Sequence, residues 1–206
     1  MTQHPFVSAI LLSAGESTRM GRLKALLPWR GATLIQSQVA SLLAGGADEV
    51  IAVLGFQAAS LRPLVDAIPN ARVVVNRRYP TGKSSSVRAG LRRLRPETTA
   101  IVVLSVDQPR SPGLVRRVLA AHRESGAPIT YPAYQGKGGH PIVFSANLLP
   151  EMLRVREATE GLRQVVERHR AAVNKVELGD PEALLDLNRP EDYEQALAAA
   201  ATKGGG

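Results

Sequence analysis

The amino-acid sequence predicts a three-layer α/β/α fold around a mostly parallel sheet. Four short runs, at 6–13, 50–54, 71–76 and 100–106, are largely apolar and rich in Val, Ile and Leu, as strands covered on both faces should be. Helix-length segments separate them, giving a βαβαβαβα rhythm and hence right-handed crossovers into one open sheet. With 206 residues, 44% of them hydrophobic, the chain suffices for one domain over 1–202 and not for two.

Taken in order, the first run is FVSAILLS, and it stops at Ala14-Gly15, where the chain must bend. Segment 34–43 carries Leu34, Gln38 and Leu42 on one stripe and halts at Gly45-Gly46, a C-terminal signal. Segments 58–68, 84–94 and 111–125 supply the next three helices, the last with Pro112 in its first turn, where a missing N–H costs nothing. After Pro128 the rhythm changes. Extended pieces at 129–132 and 141–145 flank the glycine-rich YQGKGGH, followed by helices near 147–155 and 161–169. A strand at 173–178 and a helix at 189–201, opened by Pro190, complete the fold, and 203–206 read as a disordered tail.

Composition narrows the function. Lys and Arg total 26 against 18 Asp and Glu, so the chain carries +8, which favours anionic partners and equally describes Arg-rich solvated helix faces. Zero cysteines exclude disulfides, thiolate metal sites and cysteine nucleophiles, so any metal must sit on oxygen or imidazole. Aromatic residues at 4% are poor material for base stacking and argue against a nucleic-acid-binding module. No run of 18 apolar residues occurs, and MTQHPFVSAILLSAG lacks the basic start and small-residue cleavage site of a secretory signal. A cytoplasmic protein without membrane contact is expected.

The chemistry-bearing stretches lie at turns. In Leu12-Ser13-Ala14-Gly15 a strand ends at a glycine, and Arg19, Arg22 and Lys24 follow; this suits a triphosphate, and it also suits a plain βα turn whose glycine serves the backbone angle. GxGxxG is absent after the first strand and GxxxxGK[ST] occurs nowhere, so neither a dinucleotide oxidoreductase nor a P-loop kinase is supported. Asp107, in SVDQP, stands at the end of the fourth strand as a magnesium ligand or a turn initiator. Asn188 is a second oxygen donor or a helix cap, and GKSSS at 82–86 offers donors to an anion or caps its own helix. Lys137 and His140, in GKGGHP, can touch an acceptor from a flexible loop.

Together these stretches resemble the MobA-like nucleotidyltransferase family, which includes the molybdenum cofactor cytidylyltransferases. LLSAGESTRMGRLKALLPW is similar to the signature LxAGxSxRMGxxKxLL, and SVDQP, GGHPIVF and LNRPED follow in the expected order. The resemblance implies a Rossmann-like, glycosyltransferase-A-like nucleotidyltransferase fold, with 1–127 as the nucleotide-binding part and 128–188 as the acceptor-binding part. It also implies that Leu12, Ser13, Ala14 and Gly15 line the nucleotide site, with Asn76, Gly82 and Ser86 around it. Arg19 and Lys24 would hold the triphosphate, Asp107 with Asn188 would hold Mg²⁺, and Gly139 and His140 would meet the acceptor. Ala14, in place of a second glycine, is similar to the cytidylyl-transferring branch. The implied reaction passes a nucleoside monophosphate, CMP from CTP, to a phosphorylated acceptor, the molybdenum cofactor, and releases pyrophosphate. A molybdoenzyme or its chaperone is the implied protein partner. Guanylyl transfer and a sugar- or polyol-phosphate acceptor are the alternatives within the same fold.

Overall fold

A computed structural model describes residues 5–203, without the side chains of Arg19 and residues 200–203. In chain order the elements are β1 (Phe6–Ser13), β2 (Pro28–Trp29), β3 (Ala32–Thr33), α1 (Leu34–Ala44), β4 (Glu49–Leu54), α2 (Ala58–Asp66), β5 (Ala71–Val75), α3 (Lys83–Leu91), β6 (Thr98–Ser105) and α4 (Pro112–Ser125). There follow β7 (Ile129–Tyr134), β8 (Lys137–Gly138), β9 (Ile142–Ser145), α5 (Leu149–Met152), α6 (Leu162–Arg168), β10 (Val173–Glu177) and α7 (Pro190–Lys203). The tail expected past Lys203 lies outside the described residues.

The main sheet runs β10-β7-β9-β6-β1-β4-β5, with β1 central and parallel to both β4 and β6. Among the described residues only β9 and the short β8 run against the rest, so the sheet is mostly parallel as expected, and the exceptions fall where the rhythm changes after Pro128. Alternation along β1 feeds two cores. Ala9 and Leu11 pack with α1, α2 and α4 on one face, while Ile10 and Leu12 pack with Val87 and Leu91 of α3, Phe144, Met152 and Val165 on the other. That division is the three-layer arrangement.

Local chemistry sets the boundaries. Thr33 and Gln36 form a reciprocal capping box on α1, and Ser111 caps α4 with Pro112 behind it. The helix expected over 147–155 is instead a 3₁₀ turn, Ala146–Leu148, leading into α5, because Pro150 has no N–H to give and fits only a first helical turn. The β2-β3 hairpin carries no strong sequence signal. Its turn places Arg30 and Gly31 at positive φ, 50° and 82°, the handedness that a tight hairpin needs. Helix α7 returns to this hairpin: the Tyr193 hydroxyl donates to the Pro28 carbonyl at 2.6 Å, its ring lies 6.4 Å from Trp29, and the Arg22 guanidinium stands 5.5 Å over it.

Candidate functional site

Leu12 of β1 is in register with Ser105 of β6, so the loops leaving both carboxyl ends open onto one edge of the sheet. A cleft of about 280 Å³ lies there, lined by Leu12, Ser13, Ala14 and Gly15 from β1 and its loop, Lys24, Ser86 of α3, and Asp107. Gly15 has no positive φ, and a Cβ on it would meet nothing within 4 Å. The fold therefore does not need glycine at 15 for its backbone angle; the missing side chain only keeps the cleft open. Ser17, at a left-handed φ of 55°, accepts the Lys24 backbone N–H at 3.1 Å and pins the loop. Arg19 sits in the 3₁₀ turn Thr18–Met20 between them, and its side chain lies outside the described residues.

The Lys24 Nζ is 3.0 Å from Asp107 Oδ2 and 3.5 Å from Asn188 Oδ1. Three residues remote in sequence thus converge, because the Leu187 N–H donates to the Asp107 carbonyl at 2.8 Å. Two side-chain oxygens already focus on one cation, the ammonium. That donor pair fits a magnesium ion, which takes one or two protein oxygens and completes its shell from phosphates and water. Among the described residues no group of three or more His, Asp or Glu side chains forms a metal cage of its own.

Asn76 and Gly82 do not line this cleft. Asn76 is buried, donating from Nδ2 to Ser85 Oγ at 2.8 Å and Ser86 Oγ at 3.0 Å, and thereby fixes Ser86, which does. Gly82, at φ 109°, is required where it stands: a Cβ would fall 2.5 Å from the Glu157 carboxyl carbon. Glu157 Oε2 accepts the Ser84 N–H at 2.8 Å, so the anion at the start of α3 is the chain's own carboxylate. The Ser84 and Lys83 N–H groups hold Glu157 below the usual carboxylate range, against burial.

A second cleft of about 710 Å³ adjoins the first through Leu12, Lys83 and Ser105, and Gly139 and His140 lie on its wall. His140 Nδ1 is 3.0 Å from Gln108 Nε2, while Gln108 Oε1 accepts the Ser105 N–H at 3.3 Å. Nδ1 is therefore the acceptor and the proton resides on Nε2. Burial, with Arg110 and Lys83 adding to it, lowers His140 to about 4, and the imidazole is neutral at pH 7. Burial and the Asp107 charge raise Asp186, opposed by the Gln108 amide.

Sequence reasoning passed over Gln108, Arg110, Glu157 and Tyr79, the last a lining residue of the small cleft. Gln108 lies inside SVDQP, but its amide role follows from geometry, and Arg110 and Glu157 look like ordinary surface charges until the chain is folded.

The MobA-like NTP transferase domain model matches residues 9–173. A protein of Paenarthrobacter nicotinovorans named nicotine blue oxidoreductase is 33% identical, covering 95% of this chain and 98% of its own length. The molybdenum cofactor cytidylyltransferase of Escherichia coli (strain K12) is 26% identical, covering 91% and 93%. Among solved structures, Rv0371c from Mycobacterium tuberculosis H37Rv superposes with a TM-score of 0.81 at 28% identity, covering 94% of this chain and 98% of that one. A structure of the same protein in complex with manganese superposes at 0.77.

Proposed function

The chain belongs to the MobA-like NTP transferase family and is a nucleotidyltransferase; from that premise we propose that it transfers CMP from CTP to the phosphate of a small acceptor, the molybdopterin of the molybdenum cofactor, with release of pyrophosphate. The observation that carries this reading is the meeting of Lys24, Asp107 and Asn188 beside the open backbone at Gly15.

The roles follow from charge. An acceptor phosphate oxygen attacks the α-phosphorus, the bond to the β-phosphate oxygen breaks, and pyrophosphate leaves. The attacking phosphate is ionised at neutral pH, so no side chain has to remove a proton from it. Lys24, with Arg19, binds the triphosphate tail and offsets charge on the departing group. The absence of a side chain at Gly15 lets the phosphates approach the main chain. Asp107 and Asn188 would hold Mg²⁺, which would supply charge neutralisation at the phosphates. In the second cleft, His140 presents a neutral imidazole to the acceptor, and a molybdoenzyme or its chaperone takes the product. Ala14 favours CTP over GTP.

A pyrophosphate-release screen with the four NTPs, a molybdopterin acceptor, and sugar- and polyol-phosphate controls tests this, with and without Mg²⁺. CTP- and Mg²⁺-dependent release with molybdopterin is expected; a GTP preference overturns the donor assignment, and turnover only with the controls overturns the acceptor. A second reading, oxidoreduction, is favoured by the relative named nicotine blue oxidoreductase. NADH or NADPH consumption with a planar aromatic substrate, and no pyrophosphate from any NTP, would select it.

A further inference from the structure

Arg110 is 3% exposed, yet among the described residues its four side-chain hydrogen bonds all go to backbone carbonyls and none to a carboxylate. Nε donates to His140 at 2.8 Å, Nη1 to Pro109 at 2.9 Å and Leu185 at 2.8 Å, and Nη2 to Ala183 at 2.9 Å. The guanidinium thus joins three separate pieces of chain: the loop after β6 that carries Asp107, the loop before β9 that carries His140, and the segment leading to Asn188. Its charge survives burial, lowered only to about 10, because Glu182, Asp186, Asp107 and Asp180 surround it at longer range.

Arg110 is itself fixed to a buried helix. Its backbone N–H donates to Gln38 Oε1 at 3.0 Å, and its carbonyl accepts the Ser41 hydroxyl, both on α1. The Ala183 carbonyl accepts a second bond, from the His140 N–H at 3.0 Å, and a Cβ on Gly139 would lie 2.0 Å from that oxygen. Glycine at 139 is what lets the two segments close. Beyond this clamp, the Leu187-to-Asp107 main-chain bond is what registers Asn188 against Asp107.

We propose that Arg110 is a positioning residue that holds the Asn188 segment against the Asp107 loop, and so sets the separation of the two oxygen donors at the metal position. This rests on the reading of Asp107 and Asn188 given above. A planar fork with five donors spread over three nitrogens serves these four carbonyls at once, whereas an ammonium has three donors on one nitrogen and cannot serve all four. Groups that orient metal ligands from behind typically contribute 10- to 100-fold in metal affinity or activity. Arg110→Lys should therefore fail to rescue, despite keeping the charge.

The test measures Mn²⁺ binding by electron paramagnetic resonance in the presence of a non-hydrolysable CTP analogue, and analogue binding alone in metal-free buffer. It compares wild type, Asp107→Asn, Arg110→Lys and Arg110→Met, each checked for a cooperative melt. The expected result is a loss of roughly 10-fold or more in Mn²⁺ affinity for both Arg110 variants, with metal-free analogue binding within about twofold of wild type. Wild-type Mn²⁺ affinity in folded Arg110→Lys, or an equal loss of both bindings, overturns the inference. Wild-type Mn²⁺ affinity in Asp107→Asn overturns instead the assignment of the metal position. If the Arg110 variants do not fold, Ser41→Ala removes only the anchor on the Arg110 carbonyl. A smaller loss of Mn²⁺ affinity there supports the role, and no change sinks it.

Discussion

The cleft between β1 and β6 measures about 280 Å³ and its charged groups include Lys24, Lys83 and one carboxylate, Asp107, whereas the cleft beside it measures about 710 Å³ and sets Glu157, Glu160 and Glu167 against Arg163 and Lys83. They share a wall but are assembled differently. The smaller is made by loops leaving the ends of two fully covered parallel strands, so its main chain is fixed by the sheet itself. The larger is walled by short helices, 3₁₀ turns and glycine loops whose positions depend on side-chain ties such as Glu157 on α3. A narrow cationic slot on rigid backbone suits a ligand part that never varies, a phosphate chain. A wider, acidic and apolar chamber on separately tied segments suits the part that differs between relatives.

The largest expected effect tests the charge of the small cleft. Lys24→Ala and Asp107→Ala should each lower turnover by roughly 10²–10³-fold with the fold intact, since the first removes a cation aimed at phosphate charge and the second the carboxylate assigned to the metal. Wild-type pyrophosphate release in either variant would break the contrast at its root. Next comes a pH dependence peculiar to the large cleft. His140 falls from 6.5 to about 4 on folding, so between those values the unfolded chain binds the extra proton. Stability is then highest above pH 6.5 and declines as pH falls toward 4, by about 3 kcal/mol for this group. Urea melts at pH 7 and 4.5 should show that part of the slope vanish in His140→Gln.

A pair of glycines sharpens the comparison further. Gly139→Ala drives a Cβ against the Ala183 carbonyl and should cost about 1–3 kcal/mol, while Gly15→Ala, with open space around it, should stay within ~0.5 kcal/mol and instead raise the KM for the nucleotide. Calorimetry and nucleotide titration of the two variants read both numbers. The smallest effect is at α3. Glu157→Gln should lose about 0.3–1 kcal/mol, the usual worth of a carboxylate at a helix start. Because the folded pKa of Glu157 is depressed, its contribution is present above 4.5 and disappears as the carboxylate is protonated below it.

The same contrast governs what the sequence made legible. Strands β1, β4 and β6 stand within two residues of their expected limits because buried parallel strands must be continuous apolar runs, as does the half-buried edge strand β5, and helices α1 and α4 are bounded by caps that can be read as letters. The Gly15 and Asp107 turns were visible for the same reason: each directly follows such a strand. The second half yielded less. Antiparallel β9 is four residues long and reads like any extended piece, and α5 is a single turn that Pro150, in its first turn, keeps from starting earlier. Asn76, expected around the nucleotide, instead supports Ser86 from behind, since an amide can serve either purpose and only packing decides. Arg110 stayed hidden because a guanidinium bonded to four carbonyls has no sequence pattern; its partners lie at 109, 140, 183 and 185.

Tyr193 on α7 grips the hairpin that follows Lys24, and Asn188 reaches back to that same lysine. Lys24 and the hairpin after it are thus tied down by residues near the end of the chain. In synthesis from the N-terminus, Lys24 therefore meets its last oxygen partner, Asn188, only when nearly the whole chain has been made.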